Sequence, residues 1–114
     1  MVEKHYQICI DANDPKAIWP FWAEALGYRA VETNEGAVDL IDPKGRGPLI
    51  WFQQVPETKT VKNRVHFDVF VDGGEVAEFE ARLVELGGTV IRREPSYNVL
   101  QDPEGNEMCI CWEA

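Results

Sequence analysis

The segment Asp42-Pro43-Lys44-Gly45 returns sixty positions later as Asp102-Pro103-Glu104-Gly105, and no other feature of the chain constrains its architecture as far. Leu26-Gly27 keeps the same offset to Leu86-Gly87, and each pair closes a stretch whose apolar residues recur at helical spacing. One supersecondary unit is therefore used twice. Two copies are too few to stack as a solenoid. The expectation is one pseudo-symmetric domain whose halves pack together around a hollow, with function sought in that hollow.

Within the first copy, Tyr6 to Ala12 alternates and is rich in strand formers. Asn13-Asp14-Pro15 then supplies a helix cap and a proline already set at a helical φ. Ile18, Phe21, Trp22, Ala25 and Leu26 form the apolar stripe of a helix that Gly27 ends, although Pro20 lacks a backbone donor and is expected to distort an early turn. Short segments near Tyr28 to Thr33, Ala37 to Ile41 and Leu49 to Val55, bounded by Gly, Pro, Asn or Asp, read as three strands. The second copy repeats the order. A strand is predicted from Arg64 to Val71, a turn at Asp72-Gly73-Gly74, and a helix carrying Val76, Phe79, Leu83 and Leu86. Strands follow near Thr89 to Arg93, Tyr97 to Gln101 and Glu107 to Trp112. The fold class is α+β: two β-α-β-β-β modules, 1–56 and 64–114, joined by a polar linker at 57–63 and forming a single domain.

At 114 residues, 45% of them hydrophobic, the chain can bury a core without staples. A net charge of −9, with no patch formed by its eleven Lys and Arg, argues against a nucleic-acid or anionic-membrane partner, both of which need a basic footprint. The opening Met-Val-Glu-Lys-His-Tyr lacks the features of a signal peptide, and no run approaches a membrane span, so a cytoplasmic protein is expected. Cys9, Cys109 and Cys111 sit in strand-like segments, where reduced, buried thiols are expected. The serine elbow, the phosphate-binding glycine loop and the HExxH zinc motif are all missing from the sequence.

The doubled β-α-β-β-β unit, Asp14-Pro15 opening the first helix, Leu26-Gly27 closing it, Arg64-Val65-His66-Phe67-Asp68 starting the second module, and Asp102-Pro103-Glu104-Gly105-Asn106-Glu107 entering the last strand together resemble the glyoxalase-like members of the vicinal oxygen chelate superfamily. The likeness spans nearly the whole chain. It implies two modules whose curved mixed sheet surrounds a cup. The superfamily includes glyoxalase I, extradiol dioxygenases, epimerases and bleomycin-resistance-type binding proteins, so the fold alone selects no reaction.

In metal-dependent relatives, the first and last strands of each module direct one ligand into the cup. The resemblance carries these places to Gln7 and His66 on the first strands and to Gln53 and Cys109 on the last. Two neutral amides make a poor shell for a divalent ion. The resemblance therefore implies no metal ligand and no cofactor, a divalent cation being the alternative. Alternation puts Asp68 on the face of His66, and Cys9 and Asp11 on the face of Gln7. Residues two apart on a strand lie ~6 to 7 Å apart, which argues against a direct His66 to Asp68 hydrogen bond.

His66 is the candidate catalytic residue, because imidazole donates, accepts or ligates near neutral pH; a histidine merely satisfied inside the sheet is the alternative. Gln7, Gln53, Asp68 and Cys109 are candidate ligand-binding residues, with Trp51 as an aromatic wall. The expected function is binding of a small organic molecule, apolar or aromatic, in the cup. The alternative is a metal-dependent lyase, isomerase or dioxygenase-type enzyme with His66 as ligand or general base. A homodimer is implied by the resemblance.

Overall fold

The computed structural model describes residues 2–113. The first half runs β1 (Ile8–Ala12), α1 (Pro15–Leu26), β2 (Arg29–Glu32), β3 (Val38–Ile41) and β4 (Ile50–Gln54). The second runs β5 (Phe67–Phe70), a 3-10 turn (Gly73–Glu75), α2 (Val76–Glu85), β6 (Thr89–Arg93), β7 (Tyr97–Gln101) and β8 (Glu107–Cys111). The strand expected from Arg64 starts only at Phe67. Before that point the incoming chain is tied through the Asn63 N–H to the Glu107 carboxylate at 3.0 Å, and ladder pairing begins with Phe67 opposite Met108.

Each half forms its own four-stranded mixed sheet, ordered β1-β4-β3-β2 and β5-β8-β7-β6. The first strand of each module pairs in parallel with its last, β1 with β4 and β5 with β8, while the remaining neighbours are antiparallel. The repeat seen in the sequence is thus a repeat of topology. Among the described residues, no helix is long and apolar enough to cross a membrane.

Local chemistry explains where α1 begins and ends. Asp14 accepts from the Lys16 N–H at 3.2 Å, Pro15 occupies the first turn, and Gly27 closes the helix at φ 66°, a conformation that costs a Cβ-bearing residue energy. The helix runs unbroken through Pro20. Ile18, Phe21, Trp22 and Ala25 face inward with i, i+3, i+4 and i+7 spacing and join Leu40 and Ile50 of the first sheet. The same cluster continues through Phe79 and Leu83 of α2 into Leu100, Met108 and Ile110. One core therefore serves both halves.

Polar contacts fasten the halves as well. The Glu104 carboxylate, in the turn before β8, accepts from the Asn13 and Asp14 N–H groups at 2.6 and 2.7 Å. It thereby places negative charge at the positive end of α1. The two repeated aspartates have diverged in role. Among the described residues, the Asp42 carboxylate accepts only from its own turn, at Lys44, Arg46 and Gly47. Asp102 is buried, accepts from Glu104 and Asn106 in its own turn, and also accepts from the Trp22 indole of the other half at 2.8 Å.

Candidate functional site

The helices cover one face of each sheet, so alternation leaves the other face open for function. On β5, Phe67 and Val69 pack into the core, which turns Asp68 outward together with His66 just before the strand. On β8, Met108 and Ile110 are fully buried on the helix side, so Glu107, Cys109 and Cys111 share the open face. Asp68 and Cys109 are direct partners across the parallel ladder.

These residues meet in a cavity of about 390 Å³. The His66 Nε2 lies 3.1 Å from the Asp68 Oδ1. The two side chains thus approach more closely than the Cα spacing suggests, as an ion-pair contact rather than a hydrogen bond. Backbone spacing bounds only the Cα separation, and a long imidazole leaning along the strand closes the remainder. One donor atom each from His66, Asp68 and Cys109 lies within 4.8 Å of the others. Burial, with the Asp68 carboxylate adding to it, pushes the Cys109 thiol up to about 11. Cys109 is thus a neutral thiol at physiological pH rather than an activated nucleophile.

Around this polar corner the walls are largely apolar, from Ile91, Val99, Tyr97 and Cys111. Glu107 lies at its edge and is only 7% exposed. It is held by Lys59 at 2.9 Å and by the Asn63 N–H. Burial alone pushes this carboxyl up, but the Asn63 N–H and the Lys59 ammonium together outweigh it, and the group sits below the ordinary glutamate range. The segment expected to act only as a linker therefore anchors to the sheet, and its Lys62 lines the cavity.

The wall of this cavity comes from the second half and the linker; Gln7, Trp51 and Gln53 stand outside it, in the first half. Gln7 immediately precedes β1, as His66 precedes β5. Gln53, however, is opposite Asp11, and Ile50 is opposite Ile8, which separates Gln7 from Gln53 by roughly four residues, ~13 Å, along the strand pair. Gln53 instead gathers with its strand neighbours. The Cys9 thiol lies 3.7 Å from the Asp11 Oδ1 and 3.9 Å from the Gln53 Oε1. Each half thus carries on its first strand an aspartate two positions after a Cys or His, directly opposite the candidate residue of its last strand. Trp51 is 37% exposed on the open face of the first sheet.

Sequence reasoning missed Lys62, Arg92 and Tyr97 as cavity residues. Tyr97 was within reach of simple alternation, since it shares a face with Val99 and Gln101. Arg92 was not. Val90 pairs with Leu100 but Arg92 pairs with Val99, leaving Ile91 as an extra residue in β6.

A family model described as a glyoxalase-like domain matches residues 7–111. No curated protein sequence matches the chain. Among solved structures, a glyoxalase/bleomycin resistance protein/dioxygenase family enzyme from Burkholderia phytofirmans PsJN superposes with TM-score 0.72 at 22% identity, covering 93% of this chain and 95% of that one. A glyoxalase-related enzyme from Fulvimarina pelagi gives 0.71 at 20% identity, with 98% and 89% covered. A fosfomycin resistance protein from Mesorhizobium loti gives 0.68 at 13% identity, with 97% and 92% covered. At these identities the likeness carries the fold.

Proposed function

Because the chain belongs to the glyoxalase-like domain family of the vicinal oxygen chelate superfamily, a fold that hosts many chemistries, we propose that it binds a small organic molecule in the second-half cavity. The observation that carries this reading is the cavity's composition, an apolar wall closed at one corner by His66, Asp68 and Cys109. Ligand pockets have this character: apolar surface supplies affinity and a few convergent polar groups supply orientation. His66 donates or accepts at the ligand, with the Asp68 carboxylate 3.1 Å away.

A second reading, a metal-dependent lyase, isomerase or dioxygenase-type enzyme, is favoured by one observation. An imidazole, a carboxylate and a thiol within 4.8 Å of one another are a donor set that fits zinc or a similar divalent ion. His66, Asp68 and Cys109 would hold the ion, which when bound polarises an oxygen of the substrate. In that reading the side chains outside the donor set, Tyr97 and Val99 among them, position the substrate and exclude water.

Metal analysis of protein purified without chelator, followed by thermal-shift measurements with divalent cations, separates the two. About one equivalent per chain, with stabilisation lost in Asp68→Asn, supports the enzyme. Neither signal, together with ligand-induced stabilisation that His66→Ala removes, supports the binding protein. The proposal includes a homodimer, supported by the exposed Trp51 and Phe70, and a monomer mass by light scattering would remove that part.

A further inference from the structure

The β-bulge at Ile91 re-aims two adjacent arginines. Plain alternation from Thr89, opposite Gln101, would have sent Ile91 to the open face and Arg92 toward the helix. Because the register slips between Val90 and Arg92, Arg92 comes opposite Val99 on the cavity side, and Arg93 comes opposite Asn98 on the helix side. There Arg93 makes two 2.9 Å bonds to the Glu80 carboxylate, which also accepts from Asn98 at 2.8 Å. Bulges concentrate beside binding sites because an inserted residue redirects the side chains that follow.

The polar groups around the cavity are unequally engaged. Asp68 is paired with His66, and Glu107 is paired with Lys59 and the Asn63 N–H. Arg92 has Glu94 at 3.0 Å on Nε and the Tyr97 hydroxyl at 3.3 Å on Nη2, and its Nη1 has no protein acceptor among the described residues. Lys62 has no carboxylate within ion-pair distance among the described residues. Both acids are therefore satisfied by the protein, whereas both cations keep donors to offer. A chain of net charge −9 repels an anion at long range, so such donors have to be placed locally.

We propose that the molecule held in this cavity carries an oxyanion, a carboxylate or phosphate group, received by the Arg92 guanidinium, while its apolar body rests on Val99, Tyr97 and Ile91 and Lys62 lines the same cavity. The planar fork of arginine suits such groups because two parallel N–H bonds match two oxygens. This inference rests on the cavity being the binding site.

The test is titration of the isotope-labelled protein with benzoate, phenyl phosphate and uncharged benzamide, followed by amide NMR shifts at Tyr97, Val99 and Cys109. One or both anions should bind several-fold more tightly than benzamide, and Arg92→Gln should bring them to parity. Arg92→Lys should restore part of the preference. Arg93→Gln, which alters the neighbouring cation on the opposite face, should leave it intact. Equal binding of all three probes to the native protein overturns the oxyanion assignment while leaving the cavity as a site. Shifts confined to other surfaces with every probe overturn the underlying reading instead, and the oxyanion assignment with it.

Discussion

The indole Nε1–H of Trp22, in the helix of the first half, donates to the Oδ2 of Asp102, in the repeated turn of the second, at 2.8 Å. Both residues are buried, so the bond forms where water cannot replace it. The repeat puts Arg82 where Trp22 stands, sixty positions on, and Arg82 pairs with Glu24 and Glu78 instead. The symmetry of the chain is thus broken at one of the contacts that join its halves.

Asp102→Ala leaves the Trp22 indole and the Glu104 and Asn106 N–H groups without their acceptor, and is expected to cost ~2–4 kcal/mol. Trp22→Phe removes only one donor and should cost less. Urea unfolding measures both, and at this chain length each kcal/mol lowers the thermal midpoint by ~4 °C. Equal stability of Asp102→Ala and the native protein would show that the bond contributes nothing.

Glu107 provides a pH dependence. Its folded pKa lies below the ordinary value, the Asn63 N–H and Lys59 together outweighing burial. Its stabilisation is therefore present above the unfolded pKa of ~4.3 and is lost as pH falls through the folded value. The stability gap between native protein and Glu107→Gln should be widest near neutrality and close in acid. A gap independent of pH between neutrality and strong acid would contradict the ion pair.

Cys109 titrates in the opposite sense. With a folded pKa pushed up to about 11 by burial and by Asp68, the thiol form is the one the fold favours. Its contribution to stability is whole below the unfolded pKa of ~8.5 and is lost as pH rises toward the folded value. In metal-free protein, alkylation of Cys109 by iodoacetamide at mildly alkaline pH should be slower than that of an unfolded control. Asp68→Asn should speed it. Mass spectrometry of the labelled peptide reads both rates.

Gly88 is expected to reject a side chain. A Cβ there would lie 2.6 Å from the Phe21 Cε2 and 2.8 Å from the Leu83 carbonyl oxygen. The backbone atom cannot move aside as a flexible side chain would. Gly88→Ala should cost ~1–3 kcal/mol by overpacking, whereas the same change at Gly74, which a Cβ would find open, should cost far less. Denaturant midpoints of the two variants make the comparison.

What the amino-acid sequence determined by itself is local and periodic. Asp14, Pro15 and Gly27 mark the ends of α1 through cap chemistry, the paired turns reveal a duplicated unit, and alternation puts Asp68 on the face of His66, while only the pairing of β5 with β8 sets Cys109 opposite Asp68. Tertiary structure decided whatever depends on how one strand slides against another, because register is chosen by partners far away in the chain. The bulge that turns Arg92 into the cavity, the pairing of Gln53 with Asp11 rather than near Gln7, and the anchoring of the linker on Glu107 all belong to this second kind. Each of them exchanges a local preference for a contact between distant residues, and only the assembled core can hold that exchange in place.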